Sequence, residues 1–120
     1  MNICVKRAYE PASPSDGYRV LVDRLWPRGV SKQRAHLDEW VRELAPSTDL
    51  REWFGHEPSR FSEFRKRYVA ELRQERALLT GLRQHAQEGK LTIVYSARDT
   101  EHNDAVVLAG VLRHGLTLKD

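Results

Sequence analysis

The sequence predicts an α/β fold: a single compact domain with a small, largely parallel sheet flanked by helices. Three short runs rich in apolar and β-branched residues, Asn2–Arg7, Tyr18–Asp23 and Leu91–Tyr95, read as strands. The connections between them are mostly helical in pattern, which is what parallel strands require. The chain of 120 residues has the length of one domain, and its 40% hydrophobic content supplies one core without covalent staples.

Taken in order, Asn2–Arg7 centres on Ile3, Cys4 and Val5 and reads as a buried strand. Pro11–Gly17 is a cluster of turn formers, hence a loop. Tyr18–Asp23 carries Val20, Leu21 and Val22 in a continuous run, the pattern of a strand covered on both faces. Trp26-Pro27 halts it, and Gly29-Val30-Ser31 reads as a turn. Leu37–Leu44 fits two readings, since Leu37, Trp40, Val41 and Leu44 have helical spacing while Ala45-Pro46 would also follow a short strand.

Further on, Ser47 or Thr48 caps a short helix over Asp49–Phe54, with Gly55 past its end. Pro58 suits the first turn of a long helix, with Phe61, Phe64, Tyr68 and Leu72 on one face. Leu78, Leu79 and Leu82 continue that stripe to Gly89. The β-branched run inside Leu91–Tyr95 follows. Asn103–His114 is the last helix, apolar through Val106, Val107, Leu108, Val111 and Leu112 and closed by Gly115. No repeat and no second-domain boundary interrupts this order.

Composition narrows the setting. No apolar run approaches the ~20 residues of a membrane span, and the N-terminus lacks the apolar core of a signal peptide. A single cysteine rules out an internal disulfide and fits a reducing compartment, so a cytoplasmic protein with no membrane partner is expected. The basic residues are mostly arginine, whose planar fork suits carboxylate and phosphate groups. Between Arg24 and Arg34 lie Arg24, Arg28, Lys32 and Arg34 with no acidic residue among them.

The candidate chemistry lies at two strand exits. In open α/β sheets ligands gather at the carboxyl ends of strands, where loops project side chains from a rigid base. The first exit is Asp23–Gly29, with Asp23, Arg24 and Arg28; its plainer reading is an ion-pair cluster around a turn set by Trp26 and Pro27. The second is Ser96–Asn103, with Ser96, Arg98, Asp99 and His102 just before a helix N-terminus, where free backbone N–H groups attract anions. Its plainer reading is helix capping by Asp99, Thr100 or Asn103, although capping needs only one of them. If both exits open on one edge, Asp23, Arg24, Arg28, Ser96, Arg98, Asp99 and His102 converge in one cleft.

Other chemistries have weaker support. Asp99, His102 and Asp104 with Asp23 offer oxygen and nitrogen ligands, but no recognised metal spacing occurs. Cys4 sits inside a strand rather than at an activating helix N-terminus. No glycine-rich phosphate loop is present, and no motif implies a cofactor. The Arg24–Arg34 loop with Trp26 offers nucleic acid a grip, but the Arg65–Arg76 surface interleaves Glu71 and Glu75 and reads as a solvated face.

Three strings, "YRVLVDRLWPRGVSK" at Tyr18–Lys32, "LAPSTDLREWFGHEPSRFSEFRKRYVAEL" at Leu44–Leu72 and "YSARDTEHNDAVVL" at Tyr95–Leu108, resemble the YeaO-like branch of the domain-of-unknown-function 488 family. The family-like positions include Asp23, Arg24, Trp26, Pro27, Arg28, Gly29, Trp53, His56 and Asp99. The resemblance implies a compact α/β domain of a cytoplasmic, bacterial protein, and it implies no particular reaction.

The leading expectation is therefore a site for an anionic small molecule, as an enzyme or a binding domain. Arg24, Arg28, Ser96 and Arg98 would hold the ligand. Asp23 or Asp99 would serve as base or orient an arginine, and His102 would move a proton, since histidine titrates near neutrality. The alternatives are a nucleic-acid accessory protein using Arg24–Arg34, or a partner-binding module anchored by Trp40 or Trp53.

Overall fold

The computed structural model describes residues 1–116. A four-stranded, all-parallel sheet in the order β1-β4-β2-β3 is built from β1 (Asn2–Arg7), β2 (Tyr18–Leu21), β3 (Glu39–Trp40) and β4 (Lys90–Tyr95). Among the described residues five α-helices accompany them: α1 (Lys32–Ala35), α2 (Thr48–Phe54), α3 (Phe61–Leu72), α4 (Arg76–Glu88) and α5 (Asp104–His114). The ambiguous Leu37–Leu44 segment resolves as the two-residue strand β3 followed by a 3-10 turn at Arg42–Leu44. The apolar stripe of the middle segment is one face of two helices, broken by a 3-10 turn at Arg73–Glu75.

Local chemistry sets the boundaries. The Ser31 and Ser47 hydroxyls cap α1 and α2, and the Asn103 side chain caps α5 by accepting from Val106 N. Gly55 closes α2 in the left-handed conformation, φ 54°. Glu71 on α3 accepts from Ser47 N at 2.8 Å and Ser47 Oγ at 2.6 Å, tying the start of α2 to the neighbouring helix.

The two faces of the sheet are covered differently. Ile3, Val20, Val22, Leu91 and Ile93 join the main core with Phe64, Tyr68, Leu72, Leu79, Leu82, Leu108 and Leu112 from α3, α4 and α5. On the other face Leu21 and Val94 pack with Ala8 under Trp26, Leu37 and Trp40, which belong to loops and β3. Burial of Val20, Leu21 and Val22 alike, each at 0% exposure, follows from this double cover. Beside the smaller core, Arg19 is buried at 2% exposure. Its Nη1 pairs with Asp16 Oδ2 at 2.7 Å, and its remaining donors reach the Ala35 and His36 carbonyls, so the charge is fully partnered.

Candidate active-edge pocket

Because every strand is parallel, all four carboxyl ends lie on one edge, and both predicted exits open there. β2 and β4 are direct neighbours with Leu21 opposite Val94, so the residues that follow them emerge side by side. Asp23 Oδ2 accepts from both the backbone N–H and the hydroxyl of Ser96, each at 2.8 Å. The Asp23 carbonyl accepts from Trp40 Nε1 at 2.7 Å, which pins the exit of β2 to β3.

A cavity of about 130 Å³ lies against this junction, lined by Asp23, Arg24, Leu25, Pro46, Arg51, Phe54, His56, Phe64, Ser96, Ala97, Asn103 and Asp104. Asp104, the first residue of α5, brings a second carboxyl to Asp23. Burial, then the Asp23 charge and a side-chain hydrogen bond with Asp23, push the Asp104 carboxyl well above the usual carboxylate range. Two carboxyls in contact cannot both ionise cheaply, so Asp104 keeps the proton of the pair and donates it to Asp23. Arg24 Nε donates to the Pro46 carbonyl at 3.1 Å, which fixes its guanidinium beside the cavity. Phe54 and Phe64 form an apolar wall, stacked with ring centroids 4.3 Å apart. His56 holds a left-handed backbone at φ 56°, a conformation that costs a residue with a Cβ about 1 kcal/mol or more.

Arg28 and Arg98 do not line this cavity. With Arg7, Tyr9 and Ser96 they line a separate open depression of about 350 Å³, and Ser96 is common to both. Arg7 is anchored through Nε to the Ala97 carbonyl at 2.9 Å and through Nη2 to the Ser96 carbonyl at 3.3 Å. Tyr9 Oη donates to the Arg28 carbonyl at 3.0 Å, and the Arg7 guanidinium lies 5.0 Å from the Tyr9 ring centroid.

Asp99 and His102 line neither space. Asp99 Oδ1 accepts from the backbone N–H groups of Glu101 and His102, and these donors hold its carboxyl below the usual range. Its Oδ2 meets His102 Nδ1 at 2.9 Å, and the His102 ring stands edge-on to Phe61. This pair organises the turn that leads into α5. Trp26 is turned inward, with Nε1 bonded to the Val30 carbonyl at 2.6 Å and its ring edge-on to Trp40. Trp40 and Trp53 are part-buried, each with an arginine over the ring: Arg42 at 4.1 Å and Arg67 at 4.3 Å. Among the described residues no group of three or more His, Cys, Asp or Glu side chains gathers as a metal site, and no helix is long and apolar enough to cross a membrane.

Arg7, Tyr9, Arg51 and Phe54 were outside the site that sequence reasoning assembled, and Asp104 entered it only as a possible metal ligand beside Asp23. Arg7 ends β1, and a parallel sheet would have placed it on the same edge. Asp104 stands one residue past a clear helix cap, but its meeting with Asp23 depends on β4 lying beside β2, which no local pattern encodes.

The family model described as the inactive DUF488-N3 subclade matches residues 2–120. The chain belongs to the DUF488 family. Within that family it is 50% identical over 113 residues to YeaO of Escherichia coli K12, covering 94% of this chain and 98% of that protein. It is 44% identical over 108 residues to Rv3073c of Mycobacterium tuberculosis H37Rv, covering 90% of this chain and 91% of that one. No solved structure gives a significant match.

Proposed function

We propose that this DUF488 protein is a binding domain for a small phosphate- or carboxylate-bearing molecule, held at the carboxyl edge of its sheet. The observation that carries this reading is the depression lined by Arg7, Tyr9, Arg28, Ser96 and Arg98, three arginines and two hydroxyl-bearing residues with no acidic residue among them. Guanidinium groups recognise anions through paired, charge-assisted hydrogen bonds, and Arg7 is held in place by two carbonyls before any ligand arrives. The description of the matching subclade as inactive favours binding over turnover. The inward-turned Trp26 supports a small ligand over a nucleic-acid strand, because its ring is not free to stack on bases.

Thermal unfolding in the presence of inorganic phosphate, pyrophosphate and citrate, with chloride matched for ionic strength, tests the proposal. The midpoint should rise with the concentration of at least one of these anions beyond the chloride control. Exchanging the exposed Arg28 and Arg98 together for alanine should abolish that rise. A midpoint indifferent to all three anions, or a rise that survives the double exchange, overturns it.

A further inference from the structure

We infer that the group attached to the bound anion is a single hydroxylated ring, so that the ligand is a sugar phosphate. This deepens the anion-binding reading and rests on it. The cavity and the arginine depression share Ser96 in their linings, so a ligand whose anion sits in the depression would carry its attached group past Ser96 toward the cavity. Its volume of about 130 Å³ is close to the roughly 150 Å³ of an engineered cavity that takes one benzene, which suits one ring. A nucleoside, with a base joined to its sugar, exceeds it.

The lining selects the kind of ring. Phe54 and Phe64 offer an apolar wall to the C–H face of a sugar. The Asp23–Asp104 pair lines the same cavity. Ser96 occupies Asp23 Oδ2 twice, which fixes the carboxylate and leaves further acceptor capacity on the pair. A purely apolar ring would desolvate these carboxyls without replacing their hydrogen bonds. An anionic ring would be repelled by Asp23, and a cationic one by Arg24 and Arg51, which line the same cavity. Hydroxyl groups both donate and accept, so they match acceptors on Asp23 and donors on Arg24 together.

Isothermal titration of the full chain with inorganic phosphate, ribose 5-phosphate, glucose 6-phosphate, the two free sugars and adenosine 5′-monophosphate tests the inference. At least one sugar phosphate should bind tenfold or more tightly than inorganic phosphate. Leu25→Trp places a bulky ring at the cavity from a side chain that is 60% exposed, so the fold should survive. That variant should remove the tenfold preference and leave phosphate affinity unchanged. A sugar phosphate no tighter than phosphate, a preference that survives Leu25→Trp, or tighter binding of the nucleotide overturns the ring and leaves the anion site standing. Free sugars binding as tightly as their phosphates overturn the anion reading. If neither phosphate nor any sugar phosphate binds, both readings fall.

Discussion

Asp16 and Asp104 are carboxyls whose surroundings pull in opposite directions. For Asp16, burial pushes the pKa up, but the Ser13 N–H, Lys6 and Arg19 outweigh it and hold the group below the usual range. Its contribution to stability is present above about pH 3.8 and is lost as pH falls through its folded value. Asp104 has the reverse sign. Its folded pKa lies above the unfolded 3.8, so between the two the native state holds a proton that the unfolded chain has released. Stability from this group is full below pH 3.8 and is lost as pH rises through the folded value. Asp104→Asn keeps the shape and removes the titrating proton. Urea unfolding from pH 4 to 8 should show the variant gaining on the order of 1 kcal/mol over the parent toward pH 8 and little at pH 4. A constant offset across that range would show that Asp104 titrates alike in both states.

At the scale of elements, the short link between the Pro14–Asp16 turn and β2 is the most demanding piece of backbone. Gly17 has φ 67°, and a Cβ there would overlap the Lys90 carbonyl at the start of β4. Thr92 Oγ1 also donates to the Asp16 carbonyl, at 2.6 Å, so turn and central strand are joined twice over. Gly17→Ala should therefore cost about 2–4 kcal/mol, read as a lower urea midpoint with an unchanged slope. A loss below about 0.5 kcal/mol would mean that β4 can shift away freely. This constraint was not legible in the sequence, where Gly17 is only one turn former among several. What was legible has a local cause: the β-branched run of β4, the Ser47 and Asn103 caps, and the unbroken apolar stretch of β2. Glu39–Trp40 is too short to show any period, so its strand state comes from the neighbouring β2. The break at Arg73–Glu75 is marked by neither glycine nor proline, and the apolar stripe keeps its phase across it.

Across the whole molecule, the same division governs the candidate site. That both exits share an edge follows from parallel strands, which the helical connections already imply. How the side chains divide there does not follow, because it depends on which strand lies between which. Asp23 and Ser96 meet across the β2–β4 junction, Arg28 and Arg98 line a separate depression with Arg7, and the Asp99–His102 pair spends itself on its own loop. Sequence order placed Asp99 and His102 among the other polar residues of the second exit, and hydrogen bonding within that exit removed them from the cavity.

The order β1-β4-β2-β3 also dictates when this protein can fold during its synthesis. β4 is the last strand made and lies between the first two, so Asn2 waits for Lys90 and Tyr18 waits for Leu91. Until β4 leaves the ribosome, the only sheet pairing open to the chain is the two-residue contact of β2 with β3. Closing a loop that long before any ladder forms makes a late, all-at-once collapse. Pulse proteolysis of ribosome-arrested chains should find stalled lengths exposing residues up to Gly89 digested and protection only once β4 and α5 have emerged; early protection would mean that the helices fold without their sheet. Nascent copies thus carry an apolar β2 with the edge that β4 will fill left open for most of translation, and it is shielded only when the central strand arrives.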